Sequence, residues 1–194
     1  ENVIKSGILP EKYRAMVPDS IILEIPKGKN YLTKPEIFLL DFLSSYKWDR
    51  PINMLNQGGD LNIGIKDYFM YDGYSYRFIP IKNKVQSLDP GFVDTDNLYS
   101  LVTEKFSFDA LSRDDYYVDY QNLYTHLGVM SLRNMFLTCA KAFMDAGEND
   151  RALEMLEKCR SVLKPDRYPY ENSILGWSSN ALFPITMIED YYKL

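Results

Sequence analysis

Apolar residues recur at Leu132, Met135, Phe136, Cys139, Ala140, Phe143 and Met144, a three-and-four spacing that draws one stripe down a helix. Gly147 interrupts the pattern, and Asn149 and Asp150 supply side-chain oxygens that can cap a second helix. The second stripe runs Ala152, Leu153, Leu156, Cys159, Val162 and Leu163 until Pro165 forbids continuation. Together they predict an antiparallel helical hairpin over 132–165. Ala140 and Ala152, twelve apart, are placed to face each other, and small side chains there let two helix axes approach closely.

That hairpin has the character of a tetratricopeptide unit, an architecture that stacks helices and recruits peptides or partner subunits. Its surroundings read as helical too. Thr95 or Asp96 opens a helix with Leu98, Leu101, Val102 and Phe106 inward, and Asp119 is placed to cap another running through Leu123 and Leu127. Past the hairpin, Leu182, Ile185, Ile188 and Tyr192 keep helical spacing despite Pro184. This last segment is expected to cover the stripe of Leu156, Cys159 and Leu163 as a further helix.

The N-terminal part reads as mixed. Ser20 to Ile25 is a β-rich run ending at Pro26. Thr33 can cap a helix with Pro35 in its first turn and Glu36 three residues after the cap, and the apolar face follows as Ile37, Phe38, Leu40, Leu43 and Tyr46, ending near Lys47. Pro51 to Asn56 reads as a strand and Gln57–Gly58–Gly59–Asp60 as a turn. Strand, helix and strand predict a right-handed crossover with parallel pairing. A short helix near Ile65 to Met70 and a strand from Tyr74 to Ile81, with Tyr74, Tyr76 and Phe78 on one face, complete this part. The fold class is therefore α+β: a small sheet with crossover helices over 1–82, a loop over 83–94, and a tetratricopeptide-like helical array over 95–194.

Composition changes the picture in two respects. A formal net charge of -5 without a basic run argues against nucleic acid and against an anionic membrane surface. With 16 Tyr, 10 Phe and 2 Trp, aromatic rings should dominate both core and recognition surface. No apolar run approaches the ~20 residues of a spanning helix, so no direct membrane insertion is expected of this segment. The chain begins at Glu1 without an initiator Met or a secretory leader, the pattern of a processed product or an excised piece. Cys139 and Cys159 both fall on apolar stripes, where buried free thiols are the favoured reading and a bridge between them the alternative.

Chemistry-bearing constellations are sparse. His126 is the single histidine and has no ligand-spaced Cys or His, so neither a zinc site nor a nucleophilic triad can be assembled. Gly58–Gly59 lacks the spacing of a phosphate loop. Asp94 and Asp96 fit helix capping, and Asp114–Asp115 a polar connection, better than acid–base work. No cofactor is implied. The richest cluster is aromatic: Trp48 and Arg50, then Tyr68, Tyr71, Tyr74, Tyr76 and Arg77. Ring faces with a few polar tips suit a glycan or an extended acceptor peptide, and they equally suit packing a helix onto a sheet.

Two segments carry a family resemblance: Lys47–Trp48–Asp49–Arg50–Pro51–Ile52, and Ile63–Gly64–Ile65–Lys66–Asp67–Tyr68–Phe69 continuing through Asp72–Gly73–Tyr74–Ser75–Tyr76–Arg77–Phe78–Ile79–Pro80–Ile81. They resemble the C-terminal part of the bacterial "domain of unknown function 2723" membrane proteins. Asp49 and Asp72 stand where that pattern has Glu, and Asn53–Met54 where it has Tyr-Phe. The resemblance implies an upstream membrane domain similar to protein O-mannosyltransferases, with this segment as its accessory domain on the periplasmic side of the inner membrane. The partners it implies are that N-terminal membrane domain and a glycan or acceptor peptide, with catalysis upstream and none carried by this segment. The alternative is a tetratricopeptide-type protein–protein scaffold unrelated to sugar transfer.

Overall fold

Thr33 and Glu36 lock the start of the first long helix. The Thr33 backbone N–H donates to the Glu36 carboxylate at 2.8 Å and the Thr33 hydroxyl donates to the same oxygen at 3.0 Å, with Pro35 in the first turn. In the computed structural model, which describes residues 1–55, 63–83, 91–119, 128–169 and 187–194, this helix is α2 (Lys34–Ser44), after a single turn α1 (Asn2–Lys5). It stops three residues short of Lys47. The chain divides into two compact units, Glu1–Asp94 and Thr95–Leu194.

The first unit holds a three-stranded sheet of order β1–β3–β2, with β1 (Asn53–Met54), β2 (Phe69–Tyr71) and β3 (Tyr76–Phe78). Every pair in it is antiparallel, so the expected parallel crossover is corrected. One of the two strands it needed, Ser20 to Ile25, never joins the sheet, and β1 pairs instead with β3 of a hairpin. The Asp72–Gly73–Tyr74–Ser75 turn of that hairpin puts Gly73 at φ 84° and lets the Asp72 N–H donate to the Ser75 carbonyl at 2.9 Å. The short helix expected over Ile65 to Met70 is a 3-10 turn, Ile65–Tyr68, and Phe69 and Met70 go to β2 instead. Ser20 to Ile25 forms no strand despite its β-rich composition; the Ile22 carbonyl accepts the Tyr68 hydroxyl at 2.9 Å rather than a ladder N–H. The turn expected at Gln57 to Asp60 and most of the 83–94 loop lie outside the described residues.

Strand residues alternate faces, and both faces of this sheet are covered. Phe69 and Phe78 enter one core with Ile63, Ile65 and Tyr68, over which α2 lays Leu39, Leu40 and Leu43. Met70 enters a second core with Val3, Ile8, Leu9, Ile79 and Ile81. That is why β2 is buried at all three positions, unlike a one-sided antiparallel strand.

The second unit is helical: α3 (Thr95–Ser100) passes into a π-helical turn, Leu101–Lys105, then come α4 (Asp109–Ser112), α5 (Val129–Asp145) and α6 (Asn149–Val162). Helices α5 and α6 pack on each other as a hairpin. Gly147 breaks it with φ 77°, while Ala140 and Ala152 are fully buried. Neither Asn149 nor Asp150 caps α6. The cap position is Glu148, whose carboxylate accepts from Thr95 and Arg151 instead, both at 2.8 Å. Leu153, expected inward, is 41% exposed, and Met155 takes its place in the core. Residues 187–193 are helical, and the Tyr191 hydroxyl donates to Glu157 of α6 at 2.8 Å. Met187 and Asp190 are buried there and Ile188 is exposed, a different phase from that expected. His126, Leu123, Leu127, Leu182, Pro184 and Ile185 lie outside the described residues.

Cys139 and Cys159 are free and buried on facing helices. Burial pushes the Cys159 thiol up to about 12, so it stays a protonated thiol at neutral and mildly alkaline pH. Both thiols are expected to resist a disulfide reagent in the native chain and to react within minutes once urea unfolds it; fast labelling of the folded protein would contradict this packing.

Candidate functional site

After α2 ends, the chain turns through Tyr46 and Trp48 toward β1. Trp48 has φ 58°, and among the described residues it is the non-glycine position with positive φ. A bulky side chain in that region costs about 1–2 kcal/mol. The cost is offset by its indole, which stacks on Phe78 with centroids 5.3 Å apart at 12° and leans on Tyr46 at 4.7 Å. The Tyr46 hydroxyl donates to the Arg50 carbonyl, pinning the far side of the turn, and Asn2 donates to the Lys47 carbonyl at 3.1 Å. Burial first, and the Asp49 carboxylate second, push the Tyr46 phenol up, so it stays a neutral donor.

Trp48 thereby packs against both cores and walls a cavity of about 660 Å³. Its apolar lining includes Ile21, Leu23, Leu40, Leu43, Trp48 and Phe78, and its polar lining Glu1, Asn2, Asp19, Ser20 and Ser44. Volume and lining fall within the range of small-ligand sites. Aromatic faces with hydroxyl and carboxylate acceptors nearby can stack on a sugar ring or hold an extended peptide.

The seven residues singled out from sequence separate in space. Trp48 lines the cavity. Arg50 is exposed beside a smaller recess of about 190 Å³ with Tyr46, Lys47 and Asp49. Tyr68 is buried beneath the sheet, its hydroxyl on the Ile22 carbonyl. Tyr71 and Tyr76 oppose each other across the β2–β3 ladder, with rings 5.3 Å apart, and burial pushes the Tyr76 phenol up. Tyr74 sits in the hairpin turn, 44% exposed. Tyr46 and Phe78 complete the cavity wall and were not among the seven. The period-two pattern placing Phe78 on one face with Tyr76 carried the signal for it.

Arg77 leaves this cluster because it points to the other face of the sheet, opposite Met70. It pairs with the buried Asp72 at 2.7 Å and donates to the Ile8 carbonyl at 3.2 Å. Burial raises the Asp72 carboxyl above its usual range; Arg77 opposes that shift, and the nearby Asp94 adds to it. Asp94 itself is buried against Lys12 at 2.8 Å, a pairing that capping arguments had not anticipated. The Arg77 hydrogen bond to Ile8 ties the N-terminal segment to β3, and the Lys12–Asp94 pair ties it to the segment that follows Phe92. Among the described residues, no group of three or more His, Cys, Asp or Glu side chains is arranged to hold a metal, and no helix is long and apolar enough to cross a membrane.

One family model matches the chain, that described as TMEM260-associated domain 2, over residues 1–97. The match takes in half of the 194 residues, including the Trp48 turn, the cavity and both motif segments. It names a TMEM260-related family where those motifs had suggested the domain of unknown function 2723. No curated protein and no solved structure matches the chain.

Proposed function

The chain belongs to the TMEM260-associated domain 2 family, whose name ties it to a membrane protein, and on that premise we propose that it is a non-catalytic accessory domain that binds a glycan or an extended acceptor peptide. The carrying observation is Trp48, held at positive φ with its ring on the wall of the 660 Å³ cavity. Backbone strain retained at a cavity is a recognised mark of function. In this reading the parent protein resembles O-mannosyltransferases, its membrane domain performs transfer, and the domain lies on the periplasmic side. The cavity's carboxylates, Glu1 and Asp19, favour hydroxyl-rich or cationic ligands over anionic ones.

A second reading, a tetratricopeptide-type scaffold, draws on the α5–α6 hairpin with Ala140 and Ala152 fully buried. A binding experiment separates the two. With Trp177 replaced by Phe, Trp48 is the remaining tryptophan, and its emission should shift saturably with oligosaccharides or hydroxyl-bearing extended peptides. By calorimetry, Trp48→Ala should weaken that binding about two- to tenfold, the loss of one ring-stacking contact, with helical circular dichroism retained. Emission unmoved by either ligand class rejects the cavity reading; peptide binding that ignores Trp48→Ala moves the site to the hairpin.

A further inference from the structure

The α2 helix turns Glu36, Leu39, Leu40 and Leu43 to the protein and leaves Lys34, Ile37, Phe38, Asp41 and Phe42 together on its outer side, as steps of about 100° per residue require. Phe38 is 74% exposed and Ile37 53%, with Phe42 one turn on. Single exposed apolar residues are ordinary; three contiguous ones on one helix face mark a contact surface. We propose that this face is a self-association surface, on which two copies of the chain pair with their α2 helices antiparallel about a two-fold axis.

Charge complementarity selects the occupant. Lys34 and Asp41 lie seven residues apart, roughly 10 Å along the axis, and neither has an ion-pair partner among the described residues. In an antiparallel pair centred between Ile37 and Phe38, Lys34 meets Asp41 of the second copy, and Asp41 meets its Lys34. Phe38 then packs on Phe38 across the axis, and Ile37 on Ile37, as an isologous contact demands. A bilayer fits this face poorly, since Asp41 stands in the middle of the apolar strip. Two helices of this length bury less than the ~1,200 Å² of a standard interface, so the dimer is weak and concentration-dependent.

Sedimentation equilibrium of the 194-residue chain from about 10 μM to 1 mM is expected to show a reversible monomer–dimer equilibrium within that range. Phe38→Glu should weaken it more than about tenfold. Lys34→Glu and Asp41→Lys should each weaken it about fivefold, while the two together restore the parent value to within about twofold. All three positions are exposed, so unchanged thermal melts of the variants keep the comparison clean. A monomer at every concentration, a dimer indifferent to Phe38→Glu, or a charge swap that fails to rescue overturns the proposal.

Discussion

Gly64→Ala is expected to destabilise the first unit by about 3–5 kcal/mol, a large share of the ~5–15 kcal/mol that holds a domain folded. Two costs coincide at this residue. Its φ is 73°, where an L side chain loses about 1–2 kcal/mol. A Cβ there would also stand 2.7 Å from the Glu24 carbonyl oxygen and 2.8 Å from the Glu24 nitrogen, both backbone atoms. The segment carrying Glu24 cannot easily retreat: Leu23 packs into the core, the Ile22 carbonyl holds the Tyr68 hydroxyl, and Lys82 pairs with Glu24 at 2.8 Å. Gly7→Ala is the control, because Gly7 has φ 72° with open space around it and should cost only the backbone term. Urea midpoints of the two variants measure the difference. Equal losses would show that the Glu24 segment yields.

Glu36→Ala is expected to cost about 3–5 kcal/mol, because it breaks a buried pair and leaves one charge behind. Glu36 is 1% exposed, and its carboxylate receives the Lys29 ammonium at 2.8 Å together with both donors of Thr33. Losing it strands a Lys29 side chain that is itself mostly buried, and removes the brace at the N-terminus of α2. Glu36→Gln keeps an acceptor for the Thr33 N–H and should lose less. Replacing Lys29 and Glu36 together by Met and Leu should recover much of the difference, since an apolar pair leaves no stranded charge. Chemical denaturation of the three variants checks the order Ala worst, Gln intermediate, double variant nearest the parent. An Ala variant as stable as the parent would show that the pair adds nothing to the helix start.

Local instructions were legible in the amino-acid sequence alone. The Thr33–Pro35–Glu36 start of α2, the stop at Gly147, the buried alanines of the α5–α6 hairpin and the buried free cysteines all rest on contacts within a few residues or on a 3.6-residue period. Such signals survive because the interacting groups are neighbours in the chain. The α+β class follows from them. Even so, local capping potential misled at Asn149 and Asp150, where Glu148 holds the cap position while its side chain bonds Thr95 and Arg151.

Strand pairing belonged to tertiary structure. Ser20 to Ile25 and Phe69 to Tyr71 carry comparable apolar signals, yet the second alone finds a ladder partner, because pairing depends on which backbone donors meet in space. The aromatic cluster divided for the same reason. Alternation along β3 sends Tyr76 and Phe78 to one face and Arg77 to the other, and the left-handed turn at Trp48 brings its indole onto Phe78, thirty residues away. The sequence by itself determined the capped start of α2 and the break at Gly147, because those signals are local, but it put Ile37 and Phe38 on the inner face of α2, where the structure leaves both exposed. Which rings share a wall, and which side of α2 remains uncovered, was decided only when distant segments closed over both faces of the sheet.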